Sequence, residues 1–121
     1  MKKLLFLTLF LVPMAAFSQT QMQMNKQAAI DYAKVDKELN VVYQQIMKKY
    51  AKESLFIVYM KEAQHRWIDF RDAEFKRYMP HFMQGNTHYG TMYSLERSSF
   101  LEQLTADRVK TLKKILKDGP R

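Results

Sequence analysis

Three stretches of the chain repeat apolar residues at helical spacing. In the first, Ala28, Tyr32, Val35, Leu39, Val42, Ile46 and Tyr50 follow one another in steps of three and four, which winds them onto one side of a helix. Asn25 stands just before this stripe as its expected N-cap. A second stripe runs through Phe56, Tyr59, Ala63, Trp67 and Phe70 toward Glu74, with Ser54 as expected cap and Pro80, which lacks a backbone N–H, as terminator. The third carries Leu101, Leu104, Thr105, Arg108, Leu112 and Ile115. It ends in Lys113, Lys114 and Lys117, cations that suit the negative end of a helix dipole, before Gly119-Pro120. The pattern predicts an all-α fold, a small bundle of three main helices. The turn at 51–54 is short, so the first two helices are expected to pair as antiparallel neighbours. Residues 80–90, with two Gly, one Pro and one Asn, lose the period and read as a loop between the second and third helices.

The N-terminal segment follows a different pattern. Met1-Lys2-Lys3 is basic, Leu4 to Phe17 is uncharged and broken only by Thr8 and Pro13, and Ala16 and Ser18 place small residues where a signal peptidase reads them. Residues 1–18 are therefore expected to be a secretory signal peptide cleaved near Ser18, followed by a flexible lead-in at 19–24 and a helical domain at 25–118. The apolar run is shorter than the ~20 residues a bilayer-spanning helix needs, and nothing later is comparably apolar, so no transmembrane segment is expected in the mature chain. The expected location is periplasmic or secreted.

Charge narrows the partners. The chain carries 20 Lys and Arg against 12 Asp and Glu, and loss of Lys2 and Lys3 takes the formal net charge from +8 to +6. For an exported protein whose lysines are spread through the helices without a stacking aromatic surface, nucleic acid is not the expected partner. An anionic cell-envelope polymer fits the sign better. There is no cysteine, so no disulfide supports the fold, which rests on packing alone.

Polar residues border each apolar stripe. Asp36, Asn40 and Tyr43 form an i, i+4, i+7 line on the first helix; Gln64, Trp67 and Arg71 form an i, i+3, i+7 line on the second, beside Asp72; Thr105 and Arg108 lie on the third. An arginine on an apolar stripe needs a carboxylate or carbonyl, because an unpaired interior charge costs several kcal/mol. Asp36 and Asp72 are the obvious partners. These nine residues are the candidate binding set, readable either as a pocket between helices or as an interhelical hydrogen-bond network centred on Trp67. The second reading is favoured, since polar satisfaction is required of any buried set and a ligand is not.

Met24-Asn25, then Asp36-x-Glu38-Leu39-Asn40-x-x-Tyr43, then Ala63-Gln64-x-x-Trp67-Ile68-x-Phe70-Arg71-Asp72-Ala73-Glu74, then Leu104-Thr105-x-x-Arg108 resembles the domain named for the mycobacterial lysozyme inhibitor LprI. The resemblance spans nearly all of the mature chain, and its specific part is the Ala-Gln-x-x-Trp-Ile-x-Phe-Arg-Asp-Ala-Glu string. It implies an exported bacterial helical domain and, as a named activity, inhibition of lysozyme. Typical members carry Cys where this chain has Gln27, Phe75 and Phe100. The resemblance therefore implies that Phe75 and Phe100 replace a covalent link, and the two rings are expected to touch.

Catalysis has little to draw on. There is no Cys, the serines lie in no nucleophile motif, and the three His are scattered, so the chain is not expected to be an enzyme, nor to need a cofactor. Met79-x-His81-x-Met83, with His88 and Met92, offers soft ligands suited to Cu(I), a lesser alternative because Met also fills core gaps. Familiar host lysozymes are basic, so a chain near +6 meets one against a repulsive field unless local acids intervene. Glu53, Glu62, Asp69 and Asp72 are the candidates, with a spacing that scatters them around the second helix. Lysozyme inhibition is the leading reading, and an envelope structural or anionic-polymer-binding module the alternative. The sequence assigns no oligomeric state.

Overall fold

The structure, a computed structural model, describes the backbone of residues 12–121 and side chains from Thr20 onward. The expected signal peptide begins outside the described residues, at 1–11. Among the described residues there is no strand. The chain forms α1 (Val12–Lys49), α2 (Ser54–Tyr78), a single-turn α3 (Asn86–Tyr89) continued by a 3-10 turn (Gly90–Met92), and α4 (Tyr93–Asp118). This is the expected bundle of three main helices with a loop between the second and third.

The chain runs up α1, down α2 and up α4. Asn25 Nδ2 donates to Thr91 O at one end, and Tyr50 Oη donates to Leu116 O at the other, so α1 and α4 are parallel. Arg71 of α2 reaches Asp36 of α1, and Phe56 meets Tyr50, so α2 is antiparallel to both. Antiparallel pairing of the first two helices is as expected, but the most intimate backbone packing is between α1 and α4. Side-chain size explains the difference. Ala28 of α1 and Ser98 and Thr105 of α4 are small and buried, which lets backbones approach. The inward side of α2 presents Phe56, Met60, Gln64, Trp67 and Phe75, which hold it at a distance.

The core has two parts. Leu39, Val42, Ile46, Met60, Val109 and Leu112 form the larger, flanked by Val35, Tyr43, Tyr50, Phe56 and Trp67. Phe75, Met79 and Leu101 form the smaller, near the loop, with Tyr32, Phe82, Tyr89, Tyr93 and Phe100 around them. The first and third stripes are the inward faces of α1 and α4. The second stripe is misphased: Tyr59, Ala63 and Phe70 are exposed, and α2 turns Met60, Gln64, Arg71 and Phe75 inward instead. Aromatic residues on its flank mimic a core pattern, while the true face includes an amide and a guanidinium that satisfy each helix's neighbours.

Helix starts also differ from expectation. α1 extends upstream of Asn25, whose side chain ties the helix to Thr91 instead of capping it. Ser54 is the first residue of α2, and the cap position falls on Glu53, with no side-chain cap bond. The end of α4 is as read: Gly119 takes φ 70° and its N–H reaches Ile115 O at 2.8 Å.

Candidate functional site

Trp67 sits at mid-height on α2, half-buried against the larger core. Two guanidinium groups lie near its ring. Arg71, one turn along α2, places Cζ 5.1 Å from the ring centroid, and Arg108 of α4 places Cζ at 5.9 Å. Arg71 Nη1 donates to Asp36 Oδ1 at 3.3 Å, and Nε lies 3.7 Å from Asp72 Oδ1. Its side chain is only 14% exposed, so Asp36 neutralises a charge largely removed from water. Arg108 is held differently. Its Nε donates to the buried Gln64 side-chain oxygen at 3.0 Å, and among the described residues no carboxylate forms an ion pair with it. Burial holds its pKa below the ordinary arginine value, which still leaves it charged at neutral pH.

The arrangement is rich in donors and short of acceptors. Among the described residues, Arg71 Nε, Arg108 Nη2 and Thr105 Oγ1 are buried without a hydrogen-bond partner. Thr105 is fully buried, one turn before Arg108 on the same side of α4. Two cations near one indole favour ring contact over further hydrogen bonding, and the indole's negative face compensates part of the unmet demand.

Of the nine residues singled out, Asp36, Gln64, Trp67, Arg71, Asp72 and Arg108 come together, spanning all three main helices. Thr105 lies in the adjoining core without a bond to them. Asn40 is exposed and borders an open groove along α1 with Ala33, Asp36, Lys37, Val41 and Gln44. Tyr43 packs on the core and edges a second depression with Met47, Ile57 and Lys61. These last two do not join the Trp67 cluster through any hydrogen bond. Its geometry ties helix to helix, as a register-fixing network would.

The loop holds two further arrangements. His81 and His88 stack with centroids 4.0 Å apart, and His88 meets Tyr89 edge-on at 4.6 Å. Met79, one of the thioethers considered for copper, is 2% exposed and belongs to the smaller core, whereas Met83 stands in solvent. The two thioethers thus lie in different surroundings, and among the described residues no three His, Cys, Asp or Glu side chains group as metal ligands.

Phe75 and Phe100 belong to the same core cluster but do not pair ring to ring as expected. Phe75 tilts against Phe82 at 5.9 Å, and Phe100 stacks on Tyr78 at 4.4 Å. The partner rings come from Tyr78, the last residue of α2, and from Phe82 in the loop that follows.

Two features were not anticipated. Lys113 Nζ pairs with Glu38 Oε1 at 2.6 Å, joining α4 to α1; nothing in the spacing of either helix signals it. The acids of α2 are also less scattered than expected. Glu62 and Asp69 are seven residues apart and Asp72 three further, so all three share one side of the helix, with side chains 51%, 70% and 59% exposed. Glu53 stands apart at the turn.

A comparison with protein families matches residues 14–112 to the model described as "Lysozyme inhibitor LprI". No curated protein and no solved structure matches the chain.

Proposed function

Because the chain belongs to the LprI lysozyme-inhibitor family, we propose that it is an exported inhibitor that binds a lysozyme by surface contact, without catalysis of its own. The family match over nearly the whole helical domain carries this reading. Among the described residues no helix is long and apolar enough to cross a membrane. Cleavage near Ser18 would leave Gln19 onward, retaining the Asn25 bond to Thr91 and every contact of the Trp67 cluster.

The charge distribution supports a docking face. A uniformly basic inhibitor would be repelled by a basic lysozyme, but the exposed carboxylates of Asp69 and Asp72, with that of Glu62, which Arg66 engages, lie on one side of α2, and Phe70 is exposed next to Asp69 in the chain. That combination of local acids and an aromatic suits a cationic protein partner. The Trp67 cluster takes the supporting role, fixing α2 against α1 and α4 so that its outward side is rigid.

The direct test is a cell-wall lysis assay with the purified chain beginning at Gln19, following the clearing of a peptidoglycan suspension by lysozyme. Inhibition at micromolar concentration is expected. Unimpaired clearing at that concentration overturns the proposal.

A further inference from the structure

The parallel course of α1 and α4 brings their C-termini together beside the start of α2. Lys49 Nζ and Tyr50 Oη both donate to Leu116 O, at 2.8 and 2.9 Å, and the Tyr50 ring meets Phe56 at 5.3 Å. Residues 48–53 and 110–121 therefore share one end of the bundle. That end carries eight Lys and Arg against Glu53 and Asp118, while the rest of residues 19–121 holds ten cations and ten acids. The whole positive excess is polar in its placement, and the lysines that look dispersed along the sequence are gathered by the fold.

The fold itself uses two of these cations: Lys49 on the Leu116 carbonyl and Lys113 on Glu38. Lys48, Lys52, Lys110, Lys114, Lys117 and Arg121 are exposed and form no ion pair among the described residues. The family match stops at residue 112, so most of the α4 share of this charge lies beyond what the family model describes.

Beside the cations, the first turns of α2 direct apolar groups into solvent. Leu55 is 72% exposed, Val58 57% and Tyr59 63%. A soluble polyanion would engage the lysines but gain nothing from these side chains. A bilayer with anionic headgroups engages both, the cations meeting phosphates while leucine and valine enter the acyl boundary and tyrosine rests at headgroup level. We propose that this end of the bundle docks on a membrane surface rich in anionic phospholipid, with Leu55, Val58 and Tyr59 as the inserted contacts. The proposal is separate from lysozyme binding, which would use the carboxylates farther along α2.

The test is co-sedimentation of the chain from Gln19 to Arg121 with vesicles of phosphatidylcholine alone or containing about a third phosphatidylglycerol. Binding is expected only to the anionic vesicles, weakening steeply toward roughly 0.5 M salt as screening shortens. Replacing Lys48, Lys52, Lys114 and Lys117 together by Gln lowers partitioning roughly 600-fold, at about five-fold per cation. Leu55→Ser with Val58→Ser lowers it about ten-fold while leaving the salt dependence unchanged. Circular dichroism of both variants checks that these exposed changes leave the helices intact. Absence of binding, or equal binding to both vesicle types, overturns the proposal. So does an undiminished Leu55/Val58 variant whose binding is competed away by soluble polyphosphate, which would identify a polymer partner instead.

Discussion

Arg108 donates to the Gln64 side-chain oxygen at 3.0 Å across the α2–α4 interface, and Gln64 is only 6% exposed, so each residue's burial depends on the other. Gln64→Leu removes the acceptor and strands a charge, at an expected cost of about 3 kcal/mol. Arg108→Met alone costs about 2 kcal/mol through loss of the bond and of contact with Trp67. The double variant is expected to recover much of the Gln64→Leu loss, because no unpaired group remains. Urea unfolding of the three variants measures this, and strictly additive losses would show that the two side chains do not act as a unit.

Gly119 and Gly90 both have positive φ, 70° and 74°, but their surroundings differ. A Cβ at Gly119 would lie 2.7 Å from Tyr50 Oη, whereas one at Gly90 meets nothing within 4 Å. Gly90, at φ 74° and ψ −157°, occupies a region essentially reserved for glycine, so Gly90→Ala should cost about 1–3 kcal/mol from backbone strain alone. Gly119→Ala should cost more, since Tyr50 must move and its bond to Leu116 O is put at risk. Thermal melts that rank the two in the opposite order would refute the steric argument.

Burial raises the pKa of Tyr32 above its ordinary value of 10.0, with the nearby Arg71 charge opposing the shift. The folded state thus holds the phenolic proton more tightly than the unfolded chain. This contribution to stability is fully present below about pH 10 and is lost as pH rises through the raised folded value. Melting temperature should fall more steeply above pH 10 in the parent than in Tyr32→Phe. Coincident slopes between pH 9 and pH 11 would remove Tyr32 as a source of alkaline lability.

If the carboxylate side of α2 meets a basic lysozyme, reversing Glu62, Asp69 and Asp72 to Lys should slow association by roughly ten-fold at low salt, with a smaller change in dissociation. Surface-binding kinetics on immobilised lysozyme measure both rates. An unchanged association rate would place the contact elsewhere on the molecule.

The first and third helices were legible because their inward residues are aliphatic and regularly spaced. The second was not, since Tyr59 and Phe70 carry the hydrophobicity on its flank while Gln64 and Arg71 occupy its inward face. Burial of a polar residue depends on a partner from another helix, here Arg108 and Asp36, and a local pattern cannot register that. Pairing of Arg71 with Asp36 was nonetheless deducible from charge balance. The convergence of lysines at one end was not, because it depends on the relative direction of α1 and α4, a property of topology and not of either segment.

That same parallel arrangement governs the order of assembly. The contacts between α1 and α4 join residues about 66 positions apart, as with Tyr50 and Leu116, so they close a long loop before yielding any stabilisation. A nascent chain ending before α4 has α2 standing off from α1, with the small faces of Ala28 and its neighbours uncovered. Folding is therefore expected to wait for the last helix, and a chain interrupted at residue 92 should remain largely unstructured when released.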